Sequence, residues 1–286
     1  MWHPIHTIGP VWDGNEVWLI TAGGATFAAF PEWYASLFSG FYLPLLLILV
    51  ALIVRGVAIE YRGKRDATTW RRRCDAGIVA GSLVPALLWG VAFANIVRGV
   101  PLDARHEYVG TVWDLLNPYA LLGGLTTLAL FAAHGAVFVA LKTYGEISRR
   151  ATAVALRTGA AAAALLVIFL AWTQIEGGTS GTVILAAFVV LSFASALGAL
   201  ARGRQGWAFL LSAVAVGMTV ISLFAVLYPN VLPSTIDPAY SLTVENASAT
   251  PKTLGIMTWV AVIFLPLVLL YQSWTYWVFR RRIGVG

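Results

Sequence analysis

The chain has 286 residues, of which 59% are hydrophobic and only 11% are charged, and its mean hydropathy is +0.79. This composition lies outside the range of soluble domains, and polytopic membrane proteins are the class that fits it. The formal net charge of +6 does not predict a nucleic-acid partner, because Lys and Arg collect on the cytoplasmic side of membrane proteins for topological reasons. The single cysteine, Cys74, excludes an internal disulfide and any cysteine-rich metal site.

Apolar stretches long enough to cross a bilayer recur along the whole sequence. One crossing needs about 20 predominantly apolar residues, and eight candidate stretches can be marked. The predicted fold class is therefore all-α, a polytopic membrane helical bundle that forms a single integral membrane domain over residues 1–286. The eight predicted spans are 15–30, 38–59, 76–97, 119–141, 153–172, 183–201, 207–227 and 254–279.

The distribution of positive charge predicts the orientation of the bundle. Sixteen of the nineteen Lys and Arg residues lie in four places, which are 55–73, 142–157, 202–204 and 280–282. These are alternate connections between the predicted spans, together with the C-terminal segment. The positive-inside rule therefore predicts that these connections and both chain ends are cytoplasmic.

The most unusual group of polar residues lies in the sequence WDGNEVW at residues 12–18, where two acids stand between two tryptophans. This sequence is at the predicted cytoplasmic end of the first span. Asp13 and Glu16 have the spacing of a capping box, in which side chains satisfy free backbone groups at a helix N-terminus and the carboxylates meet the helix dipole. A second interpretation is that Asp13 begins a proton path. Placing an ionisable group at the edge of the hydrocarbon costs free energy, so its presence there suggests a functional role. The two interpretations are compatible.

Metal ligands are sparse in this sequence. His134 is the only histidine in the middle of a predicted span, and its neighbours are small, so a hydrogen-bonded packing role is favoured over metal ligation. Haem with two axial ligands needs facing His or Met side chains, and copper needs several histidines together. We find neither arrangement and expect no metal, no redox cofactor and no catalytic residue on this chain.

Polar groups at the ends of the predicted spans have two interpretations. Arg55 is expected to snorkel to the cytoplasmic interface with Glu60 as its nearby counter-charge. Asn95 and Arg98 lie at the opposite rim, where they either contact a quinone headgroup or a partner subunit or are simply solvated. Ordinary solvation is the favoured interpretation of this pair.

Residues 9–42 read GPVWDGNEVWLITAGGATFAAFPEWYASLFSGFY, and further blocks read LLNPYALLGGL and MTWVAVIFLPLVLLYQSWTYWVF. These segments closely resemble subunit II of the cytochrome bd-type quinol oxidases. The resemblance implies a multi-pass subunit of a terminal oxidase in the bacterial plasma membrane, which reduces O₂ to water with electrons from quinol. In that family the haems belong to subunit I. A partner carrying haems b and d is therefore expected, with no cofactor on this chain, although a structural quinone or lipid between spans stays open.

The same resemblance implies roles for the WDGNEVW block. Asp13 resembles the family's acidic proton-path residue, with Trp12, Asn15 and Glu16 around it, and Trp18 resembles the tryptophan beside the apolar oxygen route. The chain is then expected to scaffold subunit I and to supply protons and oxygen to the buried haem site. The family begins with a further helix that carries its own acidic residue, so nine spans are typical there and eight are expected here.

Two other functions stay open at this point. A stand-alone membrane transporter or proton channel would usually show inverted repeats and helices broken at mid-membrane, and no clear pairing of that kind is visible. A quinone-binding anchor of a dehydrogenase would need quinol contacts on this chain. Copurification of a haem-bearing partner distinguishes an oxidase subunit from an autonomous transporter.

Overall fold

A computed structural model of the chain describes residues 3–282. Within this range the backbone forms eleven α-helices and one two-stranded sheet. In chain order they are α1 (His3–Ile8), α2 (Trp12–Ala29), α3 (Pro31–Gly40), α4 (Tyr42–Tyr61), α5 (Thr68–Arg98), α6 (Pro118–Lys142), α7 (Gly145–Gly177), α8 (Ser180–Ala201), α9 (Gln205–Leu227), β1 (Asn230–Leu232), β2 (Leu242–Thr243), α10 (Val244–Ala247) and α11 (Pro251–Val278).

Seven helices of the described region, α4 to α9 and α11, are long and apolar enough to cross a membrane. The prediction of a polytopic all-α bundle is thereby confirmed. The first predicted span, 15–30, coincides with α2, an 18-residue helix that carries Asp13 and Glu16 and does not belong to the seven. The count of eight spans stays a prediction, as does the cytoplasmic location of both ends, because residues 1–2 and 283–286 lie outside the described part of the chain.

Helices α5 and α7 extend well beyond the spans predicted for them. They contain 31 and 33 residues, whereas the predicted spans were 76–97 and 153–172. At 1.5 Å per residue such helices are about 45–50 Å long, which exceeds the roughly 30 Å of the hydrocarbon. Hydropathy marks only the part inside the hydrocarbon. The arginine-rich first turns of both helices therefore continue as helix into the aqueous layer.

The core of the bundle lies between α5, α6, α7, α8 and α9 and consists of small and apolar side chains. Helices α5 and α6 approach so closely that a Cβ atom added to Gly90 would collide with the Gly123 carbonyl oxygen and the Thr127 hydroxyl. The Thr127 hydroxyl also donates a 2.7 Å hydrogen bond to the Ala86 carbonyl of α5. Close backbone approach of this kind holds membrane helices together, because lipid supplies no hydrophobic driving force between them.

The connections at the end of the bundle away from the basic loops form an ordered cap. Strands β1 and β2 pair antiparallel, and Val100 bridges to Ser234, so that the α5–α6 and α9–α11 connections are joined. Leu102, Leu232 and Leu242 of the cap are fully buried. In the same cap the Thr111 backbone N–H and hydroxyl donate to Asp114 and hold the pKa of that carboxyl below its usual range. The cap is therefore a folded part of the protein.

Helices α2 and α11 lie at the edge of the bundle, and neither contains a buried residue. They run side by side in opposite directions, because the start of α2 meets the end of α11, where Gly14 faces Gln272. At the other end of α2, the Ala249 backbone N–H donates to the Ala29 carbonyl at 2.8 Å. Much of the apolar surface of both helices therefore points away from the core.

The α5–α6 crossing gives a stability prediction. Gly90→Ala forces a methyl group against the backbone of Gly123, and overpacking of this kind costs about 1–3 kcal/mol. Gly135→Ala in α6 is the matched control, since nothing lies within 4 Å of the added carbon; it should be neutral or stabilising by up to about 1 kcal/mol through helix propensity. Thermal unfolding of both purified variants measures the difference, and equal unfolding temperatures would contradict the close packing.

Candidate functional site

The WDGNEVW block forms the first two turns of α2. The helix begins at Trp12, and its N-cap residue is Val11, which makes no side-chain capping bond. The predicted capping box is therefore wrong, because Asp13 lies inside the first turn, where its Oδ1 accepts a 2.7 Å hydrogen bond from the Gly14 N–H. A carboxylate at this position is still favourably placed near the positive end of the helix dipole.

Glu16 is held by an ion pair with α4. Arg55 Nη2 lies 2.5 Å from Glu16 Oε1, and both side chains are about one quarter exposed. The sequence favoured Glu60 as the counter-charge of Arg55, and that interpretation is wrong because the structure pairs this arginine with Glu16. A charge-assisted hydrogen bond of this kind contributes about 1.5–3 kcal/mol. It fixes the first two turns of α2 against the bundle.

Two glycines allow the close contacts around this ion pair. The Trp12 ring packs against Gly56, where an added Cβ would lie 3.4 Å from Cζ3 of the ring. Behind Arg55, α5 approaches at Gly81, where an added Cβ would lie 2.5 Å from the Ala51 carbonyl oxygen. These contacts leave the Arg55 side chain little space to move away from Glu16.

A second face of the block turns toward α11. Asn15 and Trp18, three residues apart on α2, line an open groove of about 560 Å³ at the surface of the described region. The opposite wall belongs to α11 and consists of Leu269, Gln272, Ser273 and Tyr276. Sequence analysis did not identify these α11 residues, because nothing in the local pattern shows that the last helix lies beside the first turns of α2.

The third face carries Asp13 and is exposed. The residues that follow Asp13 at helical spacing on this face are apolar: Val17 is 61% exposed, Ile20 is 75% exposed and Phe27 is 58% exposed. We call this row of side chains the α2 outer face. The five predicted site residues thus lie together in the first two turns of α2 but point in three directions. Trp12 and Glu16 face α4, and Asn15 and Trp18 face α11. Asp13 lies on the α2 outer face.

His134 packs inside the bundle. Its Nδ1 lies 2.8 Å from the Ser212 hydroxyl of α9, and its ring stacks on Phe209 with 4.8 Å between centroids. These contacts agree with the packing role favoured from the sequence. Across residues 3–282, no group of three or more His, Cys, Asp or Glu side chains is placed to hold a metal ion.

Asn95 joins the bundle to the cap. Its side-chain nitrogen donates to the Val91 and Leu115 carbonyls at 2.8 Å each, and its oxygen accepts from Asn117 Nδ2 at 2.8 Å. The residue is only 2% exposed. Neither solvation nor a quinone contact therefore accounts for Asn95, since its hydrogen bonds are used inside the protein.

Comparison with known proteins identifies the family. A sequence profile described as cytochrome bd terminal oxidase subunit II matches residues 3–279. The chain is 39% identical to the cytochrome bd ubiquinol oxidase subunit 2 of Bacillus subtilis over 98% of this chain and 84% of that protein. It is 36% identical to the cytochrome bd-I ubiquinol oxidase subunit 2 of Escherichia coli K12, with the same coverage of both proteins.

The fold agrees with this result. A chain of the bd oxidase from Geobacillus thermodenitrificans superposes with a TM-score of 0.76 at 17% sequence identity, over 96% of this chain and 85% of that chain. The seven apolar helices and these relatives place the protein in the bacterial cytoplasmic membrane as a multi-pass subunit of an oxidoreductase complex. The chain belongs to the cytochrome bd terminal oxidase subunit II family and is a subunit of a bd-type terminal quinol oxidase.

Proposed function

We propose that this chain is the haem-free subunit of the oxidase, and that it scaffolds a haem-bearing subunit I and delivers protons and oxygen to the haem site there. The observation that carries the proposal is the division of the two carboxylates in the WDGNEVW block. Glu16 is neutralised by Arg55, whereas Asp13 is exposed at the end of the apolar α2 outer face. Asp13 is therefore the acid that takes protons from the cytoplasm and passes them toward the partner.

The partner is expected on the α2 outer face. A row of exposed apolar side chains that ends in a carboxylate suits contact with another membrane helix better than contact with lipid, because lipid cannot satisfy the carboxylate. Subunit I, which carries haems b and d in this proposal, covers that row and receives the proton. Those haems would supply the electron transfer from quinol to O₂, and proton uptake from one side would then create a transmembrane charge difference without pumping.

Oxygen is proposed to travel beside Trp18. The middle of α2 consists of small residues, and Cβ atoms added to Gly23 or Gly24 would meet nothing within 4 Å. This open apolar surface is where we expect O₂ to pass once subunit I covers it. Membrane lipid, or a structural quinone, covers the apolar surface that subunit I leaves exposed.

The family assignment replaces the two alternatives considered from the sequence, which were a stand-alone transporter or proton channel and a quinone-binding dehydrogenase anchor. Copurification tests the partner directly. A tagged form of this chain is expected to bring along a haem-bearing polypeptide in a fixed ratio. Isolation of the tagged chain without haem from membranes that contain active oxidase would overturn the proposed partner.

Asp13→Asn tests the proton role. The substitution keeps the shape of the side chain but removes the exchangeable proton, and proton-transfer groups contribute on the order of 10²–10⁴-fold to rates. Oxygen consumption by the assembled complex should therefore fall by about 10²-fold, while the haem absorption spectrum stays unchanged.

Glu32→Gln is the matched control for this experiment. Glu32 is an exposed acid in the first turn of α3, at the other end of α2. It should leave oxygen consumption at the wild-type rate. Wild-type turnover in Asp13→Asn would show that this carboxylate serves only the helix dipole.

The ion pair gives a separate prediction about stability. Glu16→Gln or Arg55→Met should each lower the free energy of unfolding of the complex by about 1.5–3 kcal/mol, because a charge-assisted hydrogen bond is lost. The double variant should lose less than the sum of the two, which a double-mutant cycle measures.

The exposed pair of Glu146 and Arg150 on α7 is the control for this cycle. Both side chains are more than half exposed, and pairs of this kind contribute about 0–1 kcal/mol. Additive effects at Glu16 and Arg55, equal in size to those of the control pair, would mean that the ion pair does not hold α2 against α4.

A further inference from the structure

The cap contains a pocket at the point where α5 ends and α6 begins. Its volume is about 410 Å³, which is within the roughly 300–1,000 Å³ of small-molecule sites. The floor is buried and includes Asn95 and Leu115, whereas Arg98, Trp113 and Asp114 stand on the exposed rim. Both α5 and α6 are long enough to span the membrane. A pocket at their ends therefore lies at the level of the lipid headgroups.

Two opposite charges line this pocket without pairing. Arg98 is the last residue of α5, and its guanidinium takes part in no hydrogen bond or ion pair with another side chain or carbonyl of residues 3–282. The Asp114 carboxylate is held by Thr111, whose backbone N–H and hydroxyl donate to Oδ2 at 2.6 and 2.9 Å. These bonds keep the pKa of the carboxyl below its usual range, so it is negatively charged at neutral pH. The pocket therefore separates a cation from an anion.

The helix dipole explains only one of these charges. A cation at the C-terminus of α5 is favourable there by itself, but that does not account for a fixed carboxylate on the wall of the same pocket. Opposite charges held apart in this way match a zwitterion. An arginine binds a phosphate group through paired hydrogen bonds, and an ammonium group binds both a carboxylate and the face of a tryptophan. Trp113, on the same rim, is 75% exposed.

An apolar surface leads from the pocket into the membrane. Asn117, which lines the pocket, is the N-cap residue of α6. Leu121 and Leu125 follow it at i+4 and i+8, on one face of the helix, and are 42% and 48% exposed. At 1.5 Å per residue, Leu125 lies about 12 Å deeper than Asn117. This face suits an acyl chain, for which a soluble zwitterion would have no use.

We propose that this pocket binds the headgroup of a zwitterionic phospholipid of the phosphatidylethanolamine class. The phosphate contacts Arg98, the ammonium group contacts Asp114 and Trp113, and an acyl chain lies along the α6 face. We call this site the headgroup pocket. The inference goes beyond the oxidase function and does not depend on the proton role of Asp13. A lipid that binds here binds the folded protein and therefore stabilises it.

Arg98→Gln tests the headgroup pocket in the detergent-purified oxidase complex. Binding of phosphatidylethanolamine is followed by native mass spectrometry during a lipid titration. Loss of one charge-assisted hydrogen bond should weaken the tightest lipid-binding step by about tenfold. Binding of phosphatidylethanolamine by Arg98→Gln with the wild-type affinity would overturn the inference.

Arg105→Gln is the matched control. Arg105 belongs to the same cap and is also exposed, but it lies near Asp103 and Glu107 and does not line the pocket. The substitution removes the same charge and should leave lipid binding unchanged. An equal loss of lipid binding in both variants would mean that the charge of the cap attracts lipid without a defined site, and would overturn the inference.

A second lipid tests the selection of a zwitterion. Phosphatidylglycerol has the phosphate but no ammonium group, so the wild-type complex should bind it severalfold more weakly than phosphatidylethanolamine. Asp114→Asn removes the negative charge and keeps an acceptor for Thr111, so it should abolish this preference. Equal binding of the two lipids by the wild-type complex would contradict the proposed role of Asp114 and overturn the inference.

Competition identifies the class of molecule in the pocket. Glycerophosphoethanolamine carries the same charges without acyl chains, and it should not displace the bound lipid at equal concentration. Displacement would show that the α6 face contributes nothing and that the ligand is not a lipid. A short-chain ubiquinone should not displace the lipid either. Its displacement by the quinone in the wild-type complex would assign the pocket to a quinone and overturn the inference.

Discussion

The arrangement of the site depends on the ion pair between Glu16 and Arg55. It joins α2, which has no buried residue of its own, to the outer surface of the bundle at α4. Once α2 is fixed in this rotation, the helical repeat of 3.6 residues per turn determines the direction of its other side chains. Asn15 and Trp18 must then face α11, and Asp13 must lie on the α2 outer face. One polar contact thus assigns different surroundings to two carboxylates that are three residues apart.

The bundle behind α2 is built on a different principle. Helices α5 to α9 are held by small residues that bring backbones into contact, as at Gly90 and Gly123, and the cap joins their outer connections through Asn95 and two short strands. In this part of the protein the helix backbones interlock closely. Helices α2 and α11 are the opposite case. They are apolar, peripheral and unburied, which suits elements that complete their packing against a partner subunit.

Much of the fold could be predicted from the sequence, because length and hydropathy locate membrane helices and the basic loops alternate along the chain. The WDGNEVW block also marked, through its family resemblance, five residues that lie together in the first two turns of α2, and their roles stay predictions. The pairing of Arg55 could not be predicted in this way. Glu60 is nearer in sequence, but five residues along a helix place it on a different face, whereas Glu16 is 39 residues away and arrives from another helix. Gln272 was missed for the same reason, because long-range contacts leave no local pattern.

The central claim is that this chain carries reactants to iron that its partner holds. The most direct test is the absorption spectrum of this chain purified without subunit I, compared with the spectrum of the complex. We expect haem bands in the complex and none from the chain alone, since its in-span histidine is engaged by Ser212 and Phe209. A haem band from the isolated chain that shifts on reduction would contradict the account.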